Sequence, residues 1–148
     1  EGFVGITGKL ADRERAKALV LQSSIPVLLA GGLSPENVYD AVCDVLPAGA
    51  DSCTHTNQVD PSGKTLRFKK DFVKVEKFVK EIRRAESALQ SKREELKLNL
   101  ARLTEELQER VAALPKHSVS PHQIMAIEDL EEEIALIEKE LRQIDRIS

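Results

Sequence analysis

The glycines and aromatic residues of this chain are confined to its first half. All seven glycines lie at or before Gly63, and all five aromatic residues at or before Phe78. The stretch after residue 86 has neither. It lacks the residue that makes left-handed turns without strain and the large rings that fill a compact core. Such a stretch is suited to long helices. Charge divides at the same place: residues 1–86 carry 13 basic and 12 acidic groups, and residues 87–148 carry 9 and 13. Two architectures therefore share the 148 residues, with a join near residue 86.

The second architecture shows a helical period. Ala85, Leu89, Leu96, Leu100, Leu103, Leu107, Val111 and Leu114 recur mostly at steps of 3, 4 or 7, which lays one apolar stripe on a helix. Pro115 and Pro121 then break it. Ser120 is suited to cap a second helix with Pro121 at its first position. Ile124, Ile127, Leu130, Ile134, Ile137, Leu141 and Ile144 continue at steps of 3 and 4. The expectation is an antiparallel helical hairpin or coiled coil, with helices over about 85–114 and 121–147. Two helices bury little apolar surface, so self-association or a partner helix through 87–148 is expected. The acidic run from Asp129 to Glu133 reads as a solvated face. His117 and His122 read as loop residues, since two imidazoles fall short of a metal's usual ligand set.

The first architecture alternates. Residues 12–21 have helical character. Pro26 to Ala30 is a short apolar run, as in a strand buried on both faces. Gly31-Gly32 follows, and Ser34-Pro35 is suited to start a helix whose stripe is Val38, Ala41, Val42, Val45 and Leu46. Residues 49–54 read as a second strand, and a polar loop holds Pro61 and Gly63. Asp71 is placed to cap a helix with Phe72, Val75, Phe78, Val79 and Ile82 on one side. This order predicts an α/β fold with a parallel sheet.

Three places have residues suited to chemistry. Gly5, Thr7, Gly8 and Lys9 form a short Gly-rich loop whose spacing is too tight for a Walker A motif; an ordinary turn explains it better than a phosphate cradle. Gly31-Gly32, directly after a strand and before a helix, suits a tight turn and an anion site equally well. In Asp51-Ser52-Cys53-Thr54-His55-Thr56-Asn57, a strand would put Asp51, Cys53 and His55 on one face and Ser52, Thr54 and Thr56 on the other. Polar residues on both faces of a buried strand need partners, so a ligand-lined mouth is a simpler account than a nucleophile or metal site. Cys43 reads as an inert packing residue. The basic run from Lys64 to Arg84 reads as a solvated face.

Composition narrows the partners. Net charge is −3, which disfavours a dedicated nucleic-acid binder. No apolar run approaches the roughly 18 residues of a spanning helix, and no secretory signal pattern is visible, so no membrane association and a cytoplasmic location are expected. The two Cys make neither a disulfide framework nor a zinc-finger spacing.

Residues 29–38, Leu-Ala-Gly-Gly-Leu-Ser-Pro-Glu-Asn-Val, resemble the strand-seven segment of phosphoribosylanthranilate isomerases. Gly5 to Lys9 stands where that family has its Gly-rich loop after strand six. Gly49 to Ser52 stands at its strand eight, and Lys69-Lys70-Asp71 resembles the start of its last barrel helix. The resemblance covers residues 1–86. It implies a (β/α)8 barrel that converts an aminoaldose phosphate into an aminoketose phosphate in tryptophan biosynthesis, without a cofactor. It also implies that the substrate phosphate is held by backbone groups of the loops after strands seven and eight. Gly31, Gly32, Thr54 and Thr56 are then the expected phosphate site, with Gly5, Thr7, Gly8, Lys9, Asp51, His55 and Asn57 around the mouth.

The chain departs from the family in two ways. Cys53 to Asn57 lacks the Gly that the family's strand-eight loop uses to bring backbone to the phosphate, so the anion is expected to need the hydroxyls of Thr54 or Thr56, or the side chain of His55 or Asn57. The family's general base, a Cys after strand one, and its general acid, an Asp after strand six, have no counterpart here. A barrel takes about 250 residues, and residues 1–86 offer two strands. The expectation is therefore an incomplete barrel end with the phosphate site but without the catalytic pair. The alternative is a non-catalytic interaction protein built on the hairpin.

Overall fold

The computed structural model describes residues 10–115 and 118–146. It is an α/β arrangement, mostly helical, with two small two-stranded sheets. Helix α1 (Arg13–Gln22) starts where the Asp12 carboxylate accepts the amide of Arg15, which satisfies one of the free donors of a first turn. Strand β1 (Leu28–Ala30) pairs in parallel with β2 (Gly49–Asp51), with Leu29 opposite Ala50. Helix α2 (Val38–Val45) crosses between them. Its expected stripe holds at every position: Val38, Ala41, Val42, Val45 and Leu46 are all buried. Burying one such side chain stabilises by roughly 1.5–3 kcal/mol, so this face anchors the unit.

Leu46 ends α2 in the left-handed conformation at φ 56°, with its N–H on the Val42 carbonyl. A non-glycine residue is strained there, and its burial in the core helps offset the strain. Pro47 then prevents continuation of the helix. The helix itself begins at Val38, later than Pro35. The intervening Ser34 to Asn37 forms a tight cap instead, with Ser34 Oγ accepting from the Glu36 amide and Asn37 Oδ1 accepting from the Ser34 amide.

The second strand stops at Asp51, and Thr54–Thr56 is a turn of 3-10 helix. The alternation that would align Asp51, Cys53 and His55 on one strand face therefore ends. A hairpin replaces the expected polar loop: β3 (Asn57–Val59) pairs antiparallel with β4 (Thr65–Lys70). The register slips between Asn57 and Val59, and Phe68 takes φ 64°, the signs of a bulge.

Helix α3 (Phe72–Ala112) is one uninterrupted helix of 41 residues. Asp71 Oδ1 caps it through the amides of Val73 and Lys74. Phe72 is 82% exposed and Val79 is also exposed, so the stripe of this first part narrows to Phe78, Ala85 and Leu89, which are buried, with Val75 and Ile82 half-buried.

The described residues fall into two compact units, one reaching to Leu89 and one from Gln90 to Arg146. The first has the core of Leu29, Leu33, the α2 stripe, Phe78, Ala85 and Leu89. The second contains the rest of α3 and α4 (Pro121–Asp145). Ser120 and Gln123 form a reciprocal capping box at the start of α4, with Pro121 in its first turn. The core here is Leu103, Leu130, Ile137 and Leu141, flanked by Leu96, Leu100, Leu107 and Ile134. Lys92 pairs with Glu140, Arg93 with Asp145, and Arg110 reaches the Ala126 carbonyl. Val111 and Ile124, which the spacing places in the stripes, are exposed instead.

Candidate functional site

The site is built where the loops after β1 and β2 meet. Gly31 and Gly32 both have positive φ, 112° and 64°, the region that favours glycine. Their carbonyls are engaged: Gly31 O accepts from the Ala11 amide at 3.3 Å, and Gly32 O from Asn37 Nδ2 at 3.0 Å. A trans peptide points its C=O and N–H in opposite directions. The amides of Gly32 and Leu33 therefore face away from those partners. Successive amides on a turn with positive φ form the kind of concavity that takes an anion.

The second loop is tied to the first by one short bond, Ser52 Oγ to the Leu33 carbonyl at 2.6 Å. Beyond it, Thr56 is 3% exposed. Its hydroxyl lies 3.1 Å from the Ser52 carbonyl and 3.3 Å from that of Cys53, and it accepts from Lys70 Nζ at 2.8 Å. Thr56 therefore braces the turn, while Thr54 is half-buried and His55 and Asp51 are exposed. Asn57 is 2% exposed, and among the described residues no donor reaches its Oδ1. A buried acceptor of that kind is costly until a donor reaches it.

Lys70 is the residue that sequence spacing misses. It sits in the basic run that reads as a solvated face, yet its ammonium also donates to the carbonyls of Ser52 and Cys53. The neighbouring Lys74 donates to the Asn57 carbonyl. The signal available in the sequence was Lys69-Lys70-Asp71 next to a capped helix, which shows the position and not the partners.

Gly5, Thr7, Gly8 and Lys9 lie outside the described residues, as does His117. His122 is exposed in the first turn of α4. Among the described residues no group of three His, Cys, Asp or Glu side chains is close enough to hold a metal, so Asp51, Cys53 and His55 are not gathered into one. Burial pushes the Cys43 thiol up from its ordinary value, which disfavours the reactive thiolate. The Ser34 hydroxyl and, to a smaller extent, its own backbone amide hold the Glu36 carboxyl below its ordinary value. An apolar cavity of about 290 Å³ lies between α1 and β1, lined by Leu19, Val20, Leu28 and Leu29 among others; it is separate in character from the polar loops. No helix among the described residues is long and apolar enough to cross a membrane.

No family model matches the chain, and no solved structure matches it. Curated proteins do. It is 38% identical over 82 residues to the N-(5'-phosphoribosyl)anthranilate isomerase of Methanosarcina acetivorans, covering 55% of this chain and 31% of that protein. The Roseiflexus castenholzii isomerase is 45% identical over 69 residues, covering 45% and 32%. That of Stenotrophomonas maltophilia is 46% identical over 61 residues, covering 41% and 25%. The chain spans between a quarter and a third of the length of these relatives. It carries a segment like that of the phosphoribosylanthranilate isomerases.

Proposed function

We propose that the first unit is the phosphate-gripping C-terminal end of an isomerase-like (β/α)8 barrel. Its ligand is a phosphorylated sugar-type small molecule, and the parent reaction is aminoaldose-to-aminoketose isomerisation in tryptophan biosynthesis. The observation that carries this reading is the Gly31-Gly32 turn, glycine-requiring and tied by Ser52 to the next loop, inside a segment similar to named isomerases. Gly31 and Gly32 hold the phosphate through their turn, and Thr54 lies at the second loop. Thr56 acts by bracing that loop. Asp51, His55 and Asn57 belong to the same mouth.

The isomerisation needs a base and an acid within reach of the substrate. Cys43 is in α2 and Cys53 precedes the 3-10 turn, so neither takes the base's place at the end of a first strand. The part of this chain is to hold the substrate, and the reading calls for no cofactor. The test is a titration of the whole chain with inorganic phosphate, followed by amide NMR. Shifts at Gly32 and Leu33 at millimolar phosphate or below are expected. No shift there at that concentration overturns the reading.

A second reading is an interaction protein, with residues 87–148 as an antiparallel helical hairpin that self-associates or takes a partner helix. Its favouring observation is a separate core, Leu103 with Leu130, Ile137 and Leu141, together with Ile124 and Met125 exposed near the loop. Sedimentation of the chain at rising concentration tests it; a monomer throughout removes self-association.

A further inference from the structure

The Cys53–Asn57 stretch lacks the glycine that the family's corresponding loop uses, so something else must shape its backbone if it is to meet an anion. Lys70 is the group in place. An ammonium has three protons to donate, and this one has three acceptors: the Ser52 carbonyl at 3.1 Å, the Cys53 carbonyl at 2.9 Å and Thr56 Oγ1 at 2.8 Å. Its own backbone is held by pairing with Asn57 and by Gln58 Nε2 on its carbonyl. The hairpin thus delivers a fixed cation to two successive carbonyls.

No peptide bond among the described residues is cis. In a trans peptide the N–H points opposite to the C=O. With the carbonyls of Ser52 and Cys53 turned onto Lys70, the amides of Cys53 and Thr54 are turned to the other side. The cation also polarises both peptides and makes those amides better donors. Ser52 Oγ, on the Leu33 carbonyl, joins this turn to the Gly31-Gly32 loop.

We propose that Lys70 is a positioning residue of the anion site, holding the Ser52–Thr56 turn so that the amides of Cys53 and Thr54 face the ligand in place of the missing glycine loop. The inference rests on the phosphate reading above. It adds a residue whose ammonium need not touch the ligand.

The whole chain is titrated with inorganic phosphate as wild type, Lys70→Met and Lys70→Arg, with amide NMR and a melting curve for each. In the wild type, Cys53 and Thr54 amides are expected to shift together with Gly32 and Leu33. Lys70→Met keeps the stem and removes the charge. It should weaken phosphate binding about tenfold, the order expected for losing charge-assisted bonds, and abolish the Cys53 and Thr54 shifts. Lys70→Arg should restore most of both. A purely structural role would lower the melting temperature without changing affinity in the folded range or responding to Arg rescue. Equal affinity in folded wild type and Lys70→Met overturns the inference and leaves the phosphate reading standing. Should Lys70→Met fail to fold, the wild type decides: Gly32 shifting while Cys53 and Thr54 stay still overturns it. Silence at all four amides overturns the phosphate reading itself.

Discussion

Asp60 holds the tip of the β3–β4 hairpin with one carboxylate oxygen. Oδ1 accepts from the Ser62 hydroxyl at 2.6 Å, the Ser62 amide at 2.9 Å and the Lys64 amide at 3.0 Å. These bonds favour the ionised form, the Ser62 hydroxyl most, and they hold the carboxyl below its ordinary value. A lowered folded-state value means that the carboxylate's support is complete above the ordinary aspartate range. It is lost as pH falls through that range to the lowered value. The Ser62 and Lys64 amides should therefore shift and exchange faster on acidification, with a midpoint below that of an unstructured aspartate. Asp60→Ala should show the same open turn at neutral pH. A midpoint at or above the ordinary value contradicts this account. The turn matters to the site because it closes the hairpin that carries Lys70.

Among the elements, α2 and α4 were readable because their apolar residues recur at helical spacing; Ser120 also marks the start of α4, whereas α2 starts at Val38, later than Ser34 and Pro35 predict. Local chemistry and burial agree there, as Val38, Val45, Leu130 and Ile137 attest. The β3–β4 hairpin was not readable. Its first strand has three residues, Asn57, Gln58 and Val59, too few to show alternation, and the bulge at Phe68 breaks the period in the second. Lys70 was hidden for a related reason: two of its partners are main-chain carbonyls 17 and 18 residues away and the third is the Thr56 hydroxyl, and no side-chain pattern marks a carbonyl. Phe72 misled because it sits at the exposed start of α3, where the helix has not yet reached the core. In the second unit the surface ion pairs contribute about 0–1 kcal/mol each, so its stability rests on the core. Leu103 is 2% exposed. Leu103→Ala should cost about 2–5 kcal/mol, seen as lost helicity of α4 by amide NMR or circular dichroism at mild denaturant. Arg102→Ala, next to it and exposed, should change stability by less than about 1 kcal/mol. Similar losses in both variants count against a core at Leu103.

Across the whole molecule, net charge is −3, so long-range attraction does little to bring an anion in. Binding in the proposed reading has to come from donors fixed in place, and the two tied loops of the first unit are where that reading puts them. A ligand that binds only the folded state stabilises it by RT ln(1 + [L]/Kd), about 2.7 kcal/mol at a hundredfold excess over Kd. That stabilisation belongs to the unit that holds the ligand. Saturating phosphate should therefore slow hydrogen exchange in α2, β1 and the Gly31–Asn37 turn about a hundredfold, where exchange goes through unfolding of that unit. The amides of α4 should exchange at their original rate. Equal slowing in α4 means that the two units unfold as one. No slowing in α2 means that phosphate binds elsewhere, or to an unfolded form, and the tied loops then serve only to close the β1–β2 end of the sheet.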